Sequence, residues 1–81
     1  MSDSDPHLTS FRSVIELWAS REAMAADVGA RNWSVIKWWG RNTIPSKWWP
    51  AVLLTEKAKA GGVTLDILAR LASRKVEEAR A

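Results

Sequence analysis

Small polar residues, glycines and prolines punctuate this chain at short intervals, at Ser10, Ser20, Gly29, Gly40 to Pro45 and Gly61-Gly62. The intervals between them carry apolar residues at three- and four-residue spacing, which is the pattern of short amphipathic helices. Ser10 can cap a helix over Ser10 to Ala19 that places Phe11, Val14, Ile15 and Trp18 on one stripe. Ser20 caps a second, Arg21 to Asp27, with Met24, Ala25 and Val28 facing inward. Gly29 supplies the left-handed backbone that lets the chain leave one helix and turn into the next, predicted over Arg31 to Trp39.

After the break from Gly40 to Ile44, two prolines leave two alternatives. Either a fourth helix begins at Pro50, or Ser46 to Trp49 is a distorted first turn that feeds it; in both it runs regularly to Ala60. Gly61-Gly62 stop it, and Thr64 caps a last helix whose stripe is Leu65, Leu68, Leu71 or Ala72, and Val76. No segment alternates with period two between hairpin turns. The expected fold class is therefore all-α, a compact bundle of about five short helices. It is expected to occupy residues 10–76, between a flexible N-terminal tail, 1–9, and a fraying end, 77–81.

Hydrophobic residues make up 47% and charged residues 26% of the 81, which suits a folded domain rather than a disordered chain. A chain this short buries only about 60% of its unfolded surface, so dimerisation would help it. Cysteine is absent and His7 is the single histidine, which leaves no thiolate nucleophile and no cysteine or histidine metal cluster. No paired-carboxylate constellation stands out, so neither an enzyme nor a cofactor or metal site is expected. Met1 to Thr9 lacks the basic-then-apolar order of a signal peptide, and no apolar run approaches the roughly 18 residues of a membrane span. The expected location is the cytoplasm.

Net charge is +3, but its distribution says more. Between Val28 and Thr55 lie Arg31, Lys37, Arg41 and Lys47, while the nine acids all fall outside that window. Such a surface attracts polyanions, of which nucleic acid is the commonest in a cytosol, or it is simply a solvated basic face.

The second and third helices together suggest more than charge does. A helix-turn-helix needs a small residue where the helices cross, a glycine in the turn, and apolar residues on both inner faces. In the window Arg21 to Gly40, Ala25 and Gly29 take the first two places, and Met24, Val28, Val35 and Trp38 take the inner ones. The outer face of the third helix then carries Arg31, Asn32, Trp33, Ser34 and Lys37. Helical hairpins without nucleic-acid partners satisfy parts of this pattern through core packing alone. The acid-free outer face favours double-stranded DNA.

Over Ser20 to Leu71 the sequence resembles the small phage-type helix-turn-helix regulators, Cro-like and YdaS-like. The resemblance is carried by Trp38, Gly40-Arg41, Ile44-Pro45 and the step Trp49-Pro50, with bulky Trp33 and a second tryptophan at Trp39 as departures. It implies a repressor or activator of transcription associated with the bacterial nucleoid. It places Arg31, Asn32, Trp33, Ile36 and Lys37 at base edges. Arg31 or Lys37 then suits guanine, Asn32 adenine, and Ile36 a thymine methyl. Ser20, Arg21, Ser34, Arg41 and Lys47 suit the DNA backbone. A homodimer on an inverted repeat is the simplest arrangement, joined through the last helix or exposed tryptophan.

Of the six tryptophans, Trp38 is expected in the core. Trp48 and Trp49 are expected in core or interface with one of them exposed, because adjacent helical residues point about 100° apart. Trp33 is expected near DNA, and Trp39 is open. The rival reading is a protein-interaction module that docks its tryptophan cluster on a partner such as RNA polymerase.

Overall fold

Side-chain caps set four helix starts. Ser10, Ser20, Thr55 and Thr64 each accept a hydrogen bond from the backbone N–H three residues on, that of Ser13, Ala23, Ala58 and Ile67 respectively. The computed structural model describes residues 8–80, and within them the order is α1 (Phe11–Ile15), α2 (Arg21–Val28), α3 (Asn32–Arg41), a 3₁₀ turn (Ser46–Trp48), α4 (Trp49–Leu53), α5 (Glu56–Ala60) and α6 (Leu65–Arg80). The described residues contain no strand, so the small all-α bundle expected from the sequence is the fold. No helix among them is long and apolar enough to cross a membrane. Residues 1–7 of the expected tail lie outside the described residues, and Leu8 is buried in the core. At the other end α6 continues to Arg80, and residue 81 again lies outside.

The third helix runs on through Gly40 to Arg41 rather than stopping at Trp39, and two other helices differ more from those expected. The first helix stops at Ile15 rather than Ala19, because the chain tightens into i→i−3 bonds from Leu17 to Val14 and from Trp18 to Ile15. That turn leads into Trp18, which is buried and donates its indole N–H to Asp27 of α2 at 2.8 Å. The fourth helix is not continuous. Thr55 ends α4 by donating its hydroxyl to Val52 O at 2.7 Å, and the same oxygen caps α5. Of the two alternatives at the prolines, the structure has the distorted first turn: the 3₁₀ turn runs directly into α4, with Pro50 in its first turn.

The core gathers Phe11, Val14 and Ile15 of α1, Met24, Ala25 and Val28 of α2, Val35 and Trp38 of α3, then Ile44, Val52, Ala58, Leu68 and Leu71. Aromatic contacts tie these layers together. Phe11 stacks on Trp49 with centroids 6.4 Å apart, and Trp38 meets Trp48 at 5.6 Å. Trp49 also donates its indole N–H to Ile44 O at 2.8 Å, which pins the Ile44-Pro45 turn beneath α4. Trp48 and Trp49 are both half-buried, so neither is the exposed member of the pair that was expected. The stripe expected on the last helix is only partly buried. Leu68 and Leu71 enter the core, whereas Leu65 and Val76 remain 58% and 56% exposed. At 100° per residue both of these lie to one side of the line through Leu68, beyond the reach of the shorter helices.

Candidate nucleic-acid interface on α3

The most extensive helix pairing in the fold is between α2 and α3. It turns on Gly29, whose φ of 80° ends α2 in the left-handed conformation. The N–H of Gly29 and that of Ala30 both bond to Ala25 O at 2.9 Å, closing the helix with a left-handed glycine cap. All five side chains expected to pack across this pair do so: Met24, Ala25, Val28, Val35 and Trp38 are buried.

With Val35 and Trp38 turned inward, the opposite side of α3 faces outward. Arg31, Asn32, Trp33, Ile36 and Lys37 are all exposed, as are Gly40 and Arg41 further along. Ile36 and Lys37 lie three and four residues after Trp33, and Gly40 lies four and three after them, so the four share one face. Trp33 and Ile36 are among the large hydrophobic side chains most open to solvent, at 57% and 52%. The Lys37 ammonium lies 5.3 Å from the centroid of the Trp33 ring, a cation–π contact between residues one turn apart. Arg31, the residue that precedes α3 at its cap position, makes no side-chain cap bond.

The residues expected at the DNA backbone are placed less uniformly. Ser20 is exposed, with a lone pair committed to Ala23 N–H in capping α2. Arg21 is half-buried, its guanidinium 4.3 Å from the centroid of the Trp39 ring. Ser34 is half-buried and so departs from the outward orientation expected for it, since it lies one turn before buried Trp38 on the same side of the helix. Arg41 is exposed, and Lys47 is exposed on the 3₁₀ turn.

Three residues that the sequence did not single out hold the far end of α3. The last four carbonyls of a helix lack intrahelical partners. Here each finds one. Trp38 O and Trp39 O accept from the Asn42 N–H, and Trp38 O also from Thr43 N–H. Arg12 of α1 donates Nε to Trp39 O at 2.8 Å and Nη2 to Gly40 O at 3.2 Å. Lys75 of α6 donates Nζ to Arg41 O at 3.2 Å. The Arg12 guanidinium also lies 5.6 Å from the Trp39 ring, so Trp39 is flanked by two guanidiniums. Asn42 itself is left-handed, with φ 55°, and its side-chain oxygen accepts the backbone N–H of Arg12 at 3.0 Å. Cations gathered at the C-terminal end of α3 complement the negative pole of its dipole. They add positive charge to a segment that already lacks carboxylates from Val28 to Thr55.

Among the described residues no group of acidic, histidine or cysteine side chains could hold a metal ion. No family model, no curated protein and no solved structure matches this chain.

Proposed function

We propose that this protein is a sequence-specific regulator of transcription that binds double-stranded DNA, with α2 and α3 as a helix-turn-helix and α3 in the major groove. The observation that carries the reading is the outer face of α3. Five side chains suited to base edges, Arg31, Asn32, Trp33, Ile36 and Lys37, are exposed on a helix with no carboxylate of its own or in the segment around it. Arginine and lysine match guanine, asparagine matches adenine, and an aliphatic side chain matches the thymine methyl. Arg21, Arg41 and Lys47 are the backbone contacts in this reading, and they would position the helix without reading sequence. The resemblance to Cro-like and YdaS-like regulators supports the same assignment. A homodimer on an inverted repeat completes it, with the exposed Leu65 and Val76 of α6 as apolar surface available to a second copy.

Selection of bound duplexes from a random library tests this. The wild-type chain should enrich a defined motif, with Arg31→Ala and Lys37→Ala each relaxing the preference at one position by about 1–3 kcal/mol of discrimination. If both variants return the same motif at unchanged affinity, α3 is not the reading helix.

The exposure of Trp33 and Ile36 favours one other reading, a module that docks on a protein such as RNA polymerase. Salt separates the two. Affinity resting on about six phosphate contacts falls by about a thousandfold between 50 and 200 mM salt, whereas an aromatic-anchored protein interface barely changes.

A further inference from the structure

We propose that Trp33 and Ile36 form an apolar platform for the C5-methyl groups of pyrimidines, thymine above all, so that the bound site carries methyl-bearing bases at adjacent steps. The inference rests on the DNA-binding reading of α3 and deepens it. Both side chains are more than half exposed on the same face of the helix, in the middle of a segment whose other outward groups are polar or cationic. Two exposed apolar side chains one turn apart on one face offer a surface to an apolar counterpart. On the floor of the major groove the bases present donors and acceptors, and the apolar group among them is the methyl at C5 of thymine. 5-Methylcytosine offers the same group.

The spacing fits two neighbouring bases. Trp33 and Ile36 are three residues apart, which is about 4.5 Å along a helix axis rising 1.5 Å per residue. Successive base pairs are about 3.4 Å apart. The Lys37 ammonium over the Trp33 ring restrains the indole and occupies one of its faces, leaving the ring edge and the other face for contact. Arg41, exposed at the end of α3, and Lys47, exposed on the 3₁₀ turn, complement the charge of phosphates beside such a site. That charge match favours duplex DNA over a protein as the occupant.

The experiment starts from the duplex enriched by the wild-type chain and resynthesises it with deoxyuridine in place of each thymine, which removes the methyl and keeps the base pair. Each contacted thymine should lose about fourfold in affinity, the equivalent of one buried methyl at about 0.8 kcal/mol. In Trp33→Ala and Ile36→Ala the thymine-to-uracil ratio should fall towards one at the corresponding step. Both positions are exposed, and circular dichroism checks that the helices persist. A second arm methylates C5 of cytosines in the enriched site. Tighter binding shows that a methyl of either origin fills the platform, and no change assigns it to thymine. Equal affinity for the thymine and uracil duplexes overturns the platform while leaving DNA binding in place. Failure to enrich any duplex overturns the DNA reading and the platform together, and leaves the patch to a protein partner.

Discussion

Replacing Arg12 with alanine removes two hydrogen bonds to main-chain carbonyls of α3, at 2.8 and 3.2 Å, and one cation–π contact at 5.6 Å. A hydrogen bond of this kind contributes about 1 kcal/mol net, and an exposed cation–π contact about 0.5–1 kcal/mol. The site is open to water, which can rehydrate both carbonyls, and the three contacts share one side chain, so the sum is an upper bound. The expected loss is about 2 kcal/mol, or roughly 8–16 °C in Tm for a domain of this size. Urea denaturation of the wild-type chain, Arg12→Ala and Arg12→Lys measures it. The lysine variant keeps the charge but not the planar fork that spans two carbonyls, and should lose about half as much. Combining Arg12→Ala with Trp39→Leu isolates the ring contact, because the carbonyl bonds survive the second change; the coupling should be about 0.5–1 kcal/mol. A loss below about 0.5 kcal/mol in Arg12→Ala would refute the reasoning, since surface contacts without structural consequence cost that little.

Substitutions at three further positions examine single features of the fold. Asn42→Gly suits the left-handed backbone but removes the acceptor for Arg12 N–H, and should cost about 1 kcal/mol; Asn42→Ala removes the same acceptor and keeps a β-carbon in that conformation without the polar side chain that makes asparagine tolerant of it, and should cost about 2 kcal/mol, an order read from denaturation midpoints. Thr55→Ala removes both the hydroxyl bond to Val52 O and the cap on Ala58, and should destabilise by about 1–2 kcal/mol, whereas Thr55→Ser should retain most of it by the same measurement. Gly61→Ala would place a methyl 2.7 and 2.8 Å from the two terminal carbons of Leu17. Those carbons can swing aside, so a cost of about 1 kcal/mol is expected in thermal unfolding, and the same change made on top of Leu17→Ala should cost little more than Leu17→Ala alone.

Which parts of this architecture could be read from the sequence follows from the range of the interactions. The inward set of α2 and α3 was legible because it depends on local periodicity and on one glycine whose conformation excludes most other residues. The outward set, Arg31, Asn32, Trp33, Ile36 and Lys37, followed from the same periodicity by complement, and the structure exposes all five. Ser34 failed that test because a residue at the edge of a helical face is decided by its neighbours rather than by the period. Thr55 was passed over because a capping threonine inside an apolar, proline-initiated run looks like a helical interior position until its hydroxyl is seen to bond Val52 O and Ala58 N–H. Arg12, Asn42 and Lys75 were invisible for a different reason. Their partners are 27 to 34 residues away, and nothing in an exposed arginine or lysine announces which distant carbonyl it will reach.

Arg12 holds the end of α3 by both its backbone and its side chain: its N–H donates to the Asn42 side-chain oxygen, and its guanidinium donates to the carbonyls of Trp39 and Gly40. The beginning of α1 and the end of α3 are therefore coupled, because fraying of either one gives up the bonds it shares with the other. A peptide cut to the length of α3 would lose this restraint entirely. The shape of its outward face is thus a property of the whole domain.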